Sequence, residues 1–303
     1  MVNLKLNSKS HPIPGRVSMV TVPDYSADQS QNPSRVSADT PAGIADLFNS
    51  FFASVFTIDS AVEKTACIRA DTVISDLSLN ESTILAALKA LEVGKATGPD
   101  EIPAKLLKET ASVIAPSLCR IFNKSLQLGS LPSDWKLANV VHVHKKAAKD
   151  HVENYRPISL LPIVSKVFER CVLNSIKDHL YHVSSPKQHG FCTGRSCVTN
   201  LLEAFDHIGS LLDSGGQVDT IYLDMSKAFY KVSHRRFVHK LIQAGFGGTC
   251  LKGSALNCQV DANALRYSAP LQRIFMLPLD QPSSSCTPTT FSKSSVLAVE
   301  YCL

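Results

Sequence analysis

The sequence predicts a helix-rich mixed domain, α/β or α+β, and three observations carry that prediction. Apolar residues recur at helical spacing in six separate segments between Ile44 and Ile242. Two segments, Leu137–His144 and Val218–Met225, switch to period two, the signature of a half-buried strand. The turns joining these segments are short and marked by Gly or Pro, which suits packed layers rather than an extended array. Hydrophobic residues make up 44% of the 303 residues and charged residues 19%, which excludes an acidic disordered tail and a coiled coil. The length allows one large domain or two small ones at about 150 residues each.

Each element follows from local chemistry. The stretch from Val22 to Pro41 is dominated by Ser, Asp, Pro and Gln, too polar to offset its ordering entropy, so residues 1–75 are expected as a loosely ordered lead-in. Within it, Ile44, Leu47, Phe48, Phe51, Phe52 and Val55 predict a short amphipathic helix near 44–56. A compact unit over 76–253 is expected to open at Ser78, where Ser78 and Glu81 read as a capping box for a helix carrying Ile84, Leu85, Leu88 and Leu91, stopped by Gly94. A second helix is predicted with Pro116 near its first turn, Leu118, Ile121, Phe122 and Leu126 on one face, and Gly129 as its stop.

The strand Leu137–His144 places Val141 and Val143 on one face, His142 and His144 on the other. Pro162 opens a helix with Val164, Val167, Phe168, Cys171 and Val172 on one face. Ser196 caps one carrying Val198, Leu201, Leu202, Phe205, Ile208, Leu211 and Leu212, and Ser233 caps one carrying Phe237, Val238, Leu241 and Ile242. Between these two, Ile221 and Leu223 share one strand face, Tyr222 and Asp224 the other. Periodicity is lost after Lys252, and Ser, Thr and Pro supply 15 residues of 254–303, so that stretch is expected as a loosely structured tail.

Charge is uneven along the chain. Residues 120–175 carry nine Lys and Arg against four acids, and 176–253 nine against six, while 1–119 is acidic. Such a central excess suits either a solvated basic face or a phosphate-bearing partner. The nine cysteines are too irregularly spaced for a disulfide scaffold, no leader opens the N-terminus, and no apolar run approaches 18 residues. The expectation is therefore an intracellular protein, nuclear or cytoplasmic, with reduced thiols, not secreted and with no membrane partner.

Asp224, at the end of the apolar strand in IYLDMSKAFYKV, is the most pointed candidate for chemistry. A carboxylate delivered there suits Mg²⁺, although an ordinary strand-end aspartate fits the local sequence as well. His142 with His144, and His189 with Cys192 and Cys197, are weak candidates for zinc, since no Cys-x₂-Cys pair accompanies them. Cys119 and Cys171 lie on apolar helix faces and read as core residues.

Four ordered stretches go further. KATGPDEIPAKLLK (95–108), LPSDWKLANVVHVHKK (131–146) running into ENYRPISLLPIVSKVFER (153–170), HGFCTGRSCVTNLLE (189–203) and LDMSKAFYKVSH (223–234) together resemble the polymerase domain of non-LTR retrotransposon reverse transcriptases of the jockey-like and CR1-like kind. The resemblance implies an α+β fold comprising the fingers and part of the palm of a right-hand polymerase. It implies RNA-directed DNA polymerase activity, with Mg²⁺ as cofactor and an RNA template, a DNA primer and a deoxynucleoside triphosphate as partners. Asp224 then matches the first of three metal-binding aspartates, with the Met225 carbonyl beside the same metal. Phe229 matches the bulky residue that crowds the sugar 2′ position. Arg156 matches an arginine that contacts the triphosphate, with Lys145 or Lys146 beside it, in keeping with Arg as a planar fork and Lys as a point charge.

The departures from the family are also specific. No Gly-rich PQG-type segment or Ala-Asp-Asp hairpin follows Asp224, and the downstream acids Asp261, Asp280 and Glu300 stand apart from one another. Tyr230 replaces the usual Asp, Cys192 the usual Arg or Lys, and His142 and Ala147 the usual Pro and Gly. The expectation is a truncated or decayed element that departs from the family near residue 247 and is inactive alone. The alternative is a remnant that only binds nucleic acid, or a fragment that does not fold by itself.

Overall fold

The computed structural model describes residues 17–21, 34–55, 71–145, 147–223, 234–252 and 294–300. Its central packing unit is helical. Helices α2 (Glu81–Lys89), α3 (Ala104–Glu109), α4 (Ala111–Leu128), α5 (Ile163–Val183) and α7 (His234–Gln243) bury their apolar faces in one core. At its middle, the Phe122 ring meets Trp135 and Phe168 edge-on at centroid distances of 5.6 and 5.1 Å. Such tilted aromatic contacts add directional attraction to the burial of apolar area.

A second, smaller core lies on a two-stranded antiparallel sheet formed by β3 (Asn139–His144) and β4 (Tyr155–Leu160). Helix α1 (Pro41–Ser54) lays Ile44, Leu47, Phe48, Phe51 and Phe52 against Val140, Val152 and Tyr155. The predicted amphipathic helix thus has a definite seat. It is capped by Thr40, whose hydroxyl accepts from the Gly43 N–H at 3.2 Å.

Several local expectations change. The first helix of the central unit starts at Glu81, and the cap is Asn80, whose Oδ1 accepts from the Thr83 N–H at 2.8 Å, rather than Ser78. Ser78 cannot serve, because the backbone on either side of it is held by other partners. The Leu77 N–H donates to Thr249 Oγ1 and the Leu79 N–H to Asn123 Oδ1. That helix ends at Lys89, well before Gly94. Pro116 lies in the interior of α4, which reaches back to Ala111, where Thr110 closes α3 and opens α4. Gly129 ends α4 as expected, in the left-handed conformation at φ 65°.

Strand β4 was not anticipated, since Pro157 interrupts its pattern; as one edge of a two-stranded sheet it tolerates a proline. Stretches expected as loosely ordered also hold regular structure. β1 (Val17–Thr21) and β2 (Ser34–Ala38) pair antiparallel, and β6 (Ser294–Glu300) pairs in parallel with β5 (Gln217–Leu223). Residues before Ser78 also join the compact unit. The Ile74 N–H donates to the Gly245 carbonyl and the Gly247 N–H to the Ile74 carbonyl, both at 2.9 Å. The mixture of helices and a small antiparallel sheet is α+β. Among the described residues, no helix is long and apolar enough to cross a membrane.

Candidate functional site

The alternation of β3 and β4 creates the site. Register pairs Val140 with Ser159, His142 with Pro157 and His144 with Tyr155 on one face, which turns toward α1. The other face pairs Asn139 with Leu160, Val141 with Ile158 and Val143 with Arg156. Because α1 covers only the first face, Arg156 is left exposed on the second. Lys145 follows two residues after Val143 and is exposed too, its backbone N–H donating to the Asn154 carbonyl at 2.8 Å. The hairpin therefore places Arg156 on β4 and Lys145 one residue past the end of β3, both exposed.

The loop joining the strands is tied down from both sides. Asn154 Nδ2 donates to the Ala148 carbonyl and the Tyr155 hydroxyl to the Lys149 carbonyl, each at 2.7 Å. His144 Nε2 donates to the Ala147 carbonyl at 3.0 Å. Ala147 itself sits at φ 65°, a left-handed conformation that suits glycine. That is the physical meaning of the departure noted at this position.

Beneath the hairpin, His142 is 5% exposed and stacks on Phe48 at a centroid distance of 4.8 Å. Neither ring nitrogen has a hydrogen-bond partner, and burial pushes the imidazole below its ordinary pKa. His189 is the opposite case. It contacts Thr199 Oγ1 through Nδ1 at 2.9 Å and Glu203 Oε2 through Nε2 at 2.8 Å, pinning the loop before α6 (Cys197–Asp213) onto that helix. With both nitrogens engaged, it has no lone pair free for a metal. Arg195 donates to the carbonyls of Gln188 and Pro186, so its guanidinium is committed to the same loop. Among the described residues, no group of three or more His, Cys, Asp and Glu side chains could hold a metal ion.

The remaining expected site residues, Lys146, Asp224, Met225 and Phe229, lie outside the described residues, as does Tyr230. Strand β5 is described as far as Leu223, the residue before Asp224. Sequence reasoning did not single out Gly98. A Cβ at that position would lie 2.6 Å from both the Leu161 carbonyl carbon and Pro162 Cα, so Gly98 lets the TGPD loop rest directly on the backbone that leads from β4 to α5. The order of GPD and LLP in the sequence was legible, but their contact was not.

Residues 143–270 match the family described as reverse transcriptase (RNA-dependent DNA polymerase). Over this segment and the stretch before it, the chain is similar to the RNA-directed DNA polymerases of non-LTR retrotransposons. It is 30% identical over 161 residues to a probable RNA-directed DNA polymerase from transposon BS of Drosophila melanogaster, covering 52% of this chain and 18% of that protein. It is 32% identical over 143 residues to its counterpart from transposon X-element of the same organism, covering 46% and 16%. The RNA-directed DNA polymerase from mobile element jockey, also of Drosophila melanogaster, is 30% identical over 173 residues, covering 55% and 18%. The chain thus spans less than a fifth of the length of these curated relatives. The reverse transcriptase match opens at Val143 and so contains Lys145, Arg156 and the loop pinned by His189.

Proposed function

We propose that the chain supplies the fingers and the first part of the palm of an RNA-directed DNA polymerase, with the exposed face of the β3–β4 hairpin receiving the incoming deoxynucleoside triphosphate. One observation carries this reading: among the described residues the sheet has two strands, with one face buried under α1, Arg156 exposed on the other and Lys145 exposed just past β3. Arg offers a planar fork for two phosphate oxygens and Lys a mobile point charge, a complementary pair for a triphosphate. Strand β5 leads to Asp224, which with the Met225 carbonyl is the position for a divalent ion, Mg²⁺ by family resemblance; bound there, it would screen phosphate charge. Phe229 would face the sugar, and the central basic excess would lie along the RNA template and DNA primer.

We further propose that these 303 residues do not polymerise alone. Two-metal phosphoryl transfer needs carboxylates around both ions, and Asp224 has no adjacent acidic pair downstream of it. The test has two arms. Titration of the full chain with a fluorescent deoxynucleoside triphosphate is expected to show binding that weakens about tenfold in Arg156→Ala, close to the 1.4 kcal/mol of a charge-assisted contact. Unchanged affinity in Arg156→Ala and Lys145→Ala would overturn the triphosphate site. Primer extension on an RNA template with Mg²⁺ is expected to give no product. A product that disappears in Asp224→Ala would overturn the incompleteness.

A further inference from the structure

A second concentration of positive charge lies away from the hairpin. Between the loop that follows α2 and the first two turns of α5 is a cleft of about 110 Å³. Its floor is apolar, formed by the buried Ala104, Ile163 and Val167. Around it stand Lys95 from the loop, and Lys166 and Arg170 from one face of α5, at i and i+4. The Lys108 ammonium donates at 3.1 Å to the carbonyl of Leu91, a residue of the cleft lining.

The charges around this cleft are not balanced. Glu92 is the only acid on its lining and is engaged by Lys95 at 3.1 Å. Lys166 is half-buried, and burial lowers the pKa of its ammonium; Glu169 and Asp100 act against that, while Lys95 adds repulsion. Glu169 is itself pushed up to about 7 by burial, which weakens it as a counter-ion near neutrality. Three cations thus converge on an apolar hollow whose lining holds one carboxylate, Glu92, while Asp100 and the weakened Glu169 act on Lys166 from outside that lining. An anion entering it would be held more strongly than on a flat surface, because the floor excludes water.

The geometry points to a phosphate-binding position at Lys95, Lys166 and Arg170 that takes a backbone phosphate of a nucleic-acid strand, separate from the triphosphate face at Lys145 and Arg156. This inference rests on the polymerase reading for the class of strand, and on the cleft alone for the site. A strand phosphate fits better than a free one because the cations are spread over a loop and one turn of α5 rather than gathered at a single point.

The full chain would be titrated with a fluorescent 20-nucleotide RNA over a range of salt concentrations, and separately with a fluorescent deoxynucleoside triphosphate. Lys166→Gln and Arg170→Gln are each expected to lower RNA affinity about tenfold and to reduce the salt slope by about one, with triphosphate affinity unchanged. Arg156→Gln is expected to show the reverse. Lys166→Arg keeps the charge and should retain RNA affinity, which separates loss of charge from loss of fold; exposed Arg170 serves as a second check. Unchanged RNA affinity in both cleft variants overturns the proposal. So does loss of inorganic phosphate or triphosphate binding with RNA affinity intact, which would make the cleft a site for free phosphate. If Arg156→Gln leaves triphosphate binding unaltered while the cleft variants lose RNA, the polymerase reading fails at the hairpin and the cleft site stands.

Discussion

The imidazole of His142 stacks on the ring of Phe48 at a centroid distance of 4.8 Å and an interplanar angle of 20°, with both ring nitrogens buried and unpartnered. This contact joins α1 to the β3–β4 sheet that carries Arg156. It also makes that junction sensitive to acid. Burial lowers the folded-state pKa of His142 below its ordinary value of 6.5, so the unfolded chain takes up the proton first as pH falls. Stability from this group is fully present above about pH 6.5 and is lost as pH drops through the lowered folded value. His142→Phe removes both orphaned nitrogens and is expected to raise stability by about 1 kcal/mol at pH 7.5, and by more at pH 5. Urea unfolding at the two pH values would check this; an equal gain at both would show that His142 does not titrate on unfolding.

Ala147 pays for its left-handed backbone at φ 65° with steric crowding between its Cβ and the chain. Ala147→Gly is expected to stabilise the hairpin by about 0.5 to 1 kcal/mol, after the extra unfolded-state entropy of glycine is subtracted. A rise in urea midpoint with unchanged slope is the expected result.

Gly98 has no such choice. Its missing Cβ leaves room for the backbone of Leu161 and Pro162, which a methyl group would meet at 2.6 Å. Gly98→Ala is therefore expected to destabilise by about 2 to 3 kcal/mol, as overpacking against rigid backbone does. It should also weaken RNA binding at the Lys95 cleft, since the loop that carries Lys95 must shift. Thermal melting and the RNA titration report the two effects independently.

Glu169 should give a pH dependence of opposite sign to that of His142. Its folded-state pKa, raised by burial to about 7, exceeds its ordinary value of 4.5, so the folded state holds the proton more tightly. The stability it contributes is present below about pH 4.5 and is lost as pH rises through about 7. Glu169→Gln is expected to remove that decline, flattening stability between pH 5 and pH 8. Urea melts at pH intervals across this range would follow it, and a decline as steep as in the parent chain would exclude Glu169 as its source.

Much of the helical framework was legible because amphipathic spacing is a local property. Phe122, Phe168, Cys171 and Leu241 lie buried where their helical periods place them. The caps were less legible. Ser78 and Asn80 both qualify by residue type, and the choice between them depends on Thr249 and Asn123, which are distant in sequence. Helix α6 was foreseen with Ser196 as its cap, yet Val198, Leu202 and Phe205 are more than 60% exposed, since amphipathic spacing does not say what an apolar face packs against. Arg156 was identified by resemblance, but its exposure on the face opposite α1 depends on the pairing of β3 with β4, and Pro157 hid β4 from a period-two reading.

By itself, the sequence determined the helical periods, the glycine stop at Gly129, the uneven charge, and four ordered stretches resembling one polymerase family. Those features depend on residue type and short spacing, which a linear chain contains in full. Only the tertiary structure decided that His142 faces inward onto Phe48, that Gly98 lies against Pro162, and that Lys95 meets Lys166 and Arg170 across an apolar hollow. Each of these joins residues tens of positions apart, and such a contact exists only once burial of the surrounding apolar faces has brought the segments together.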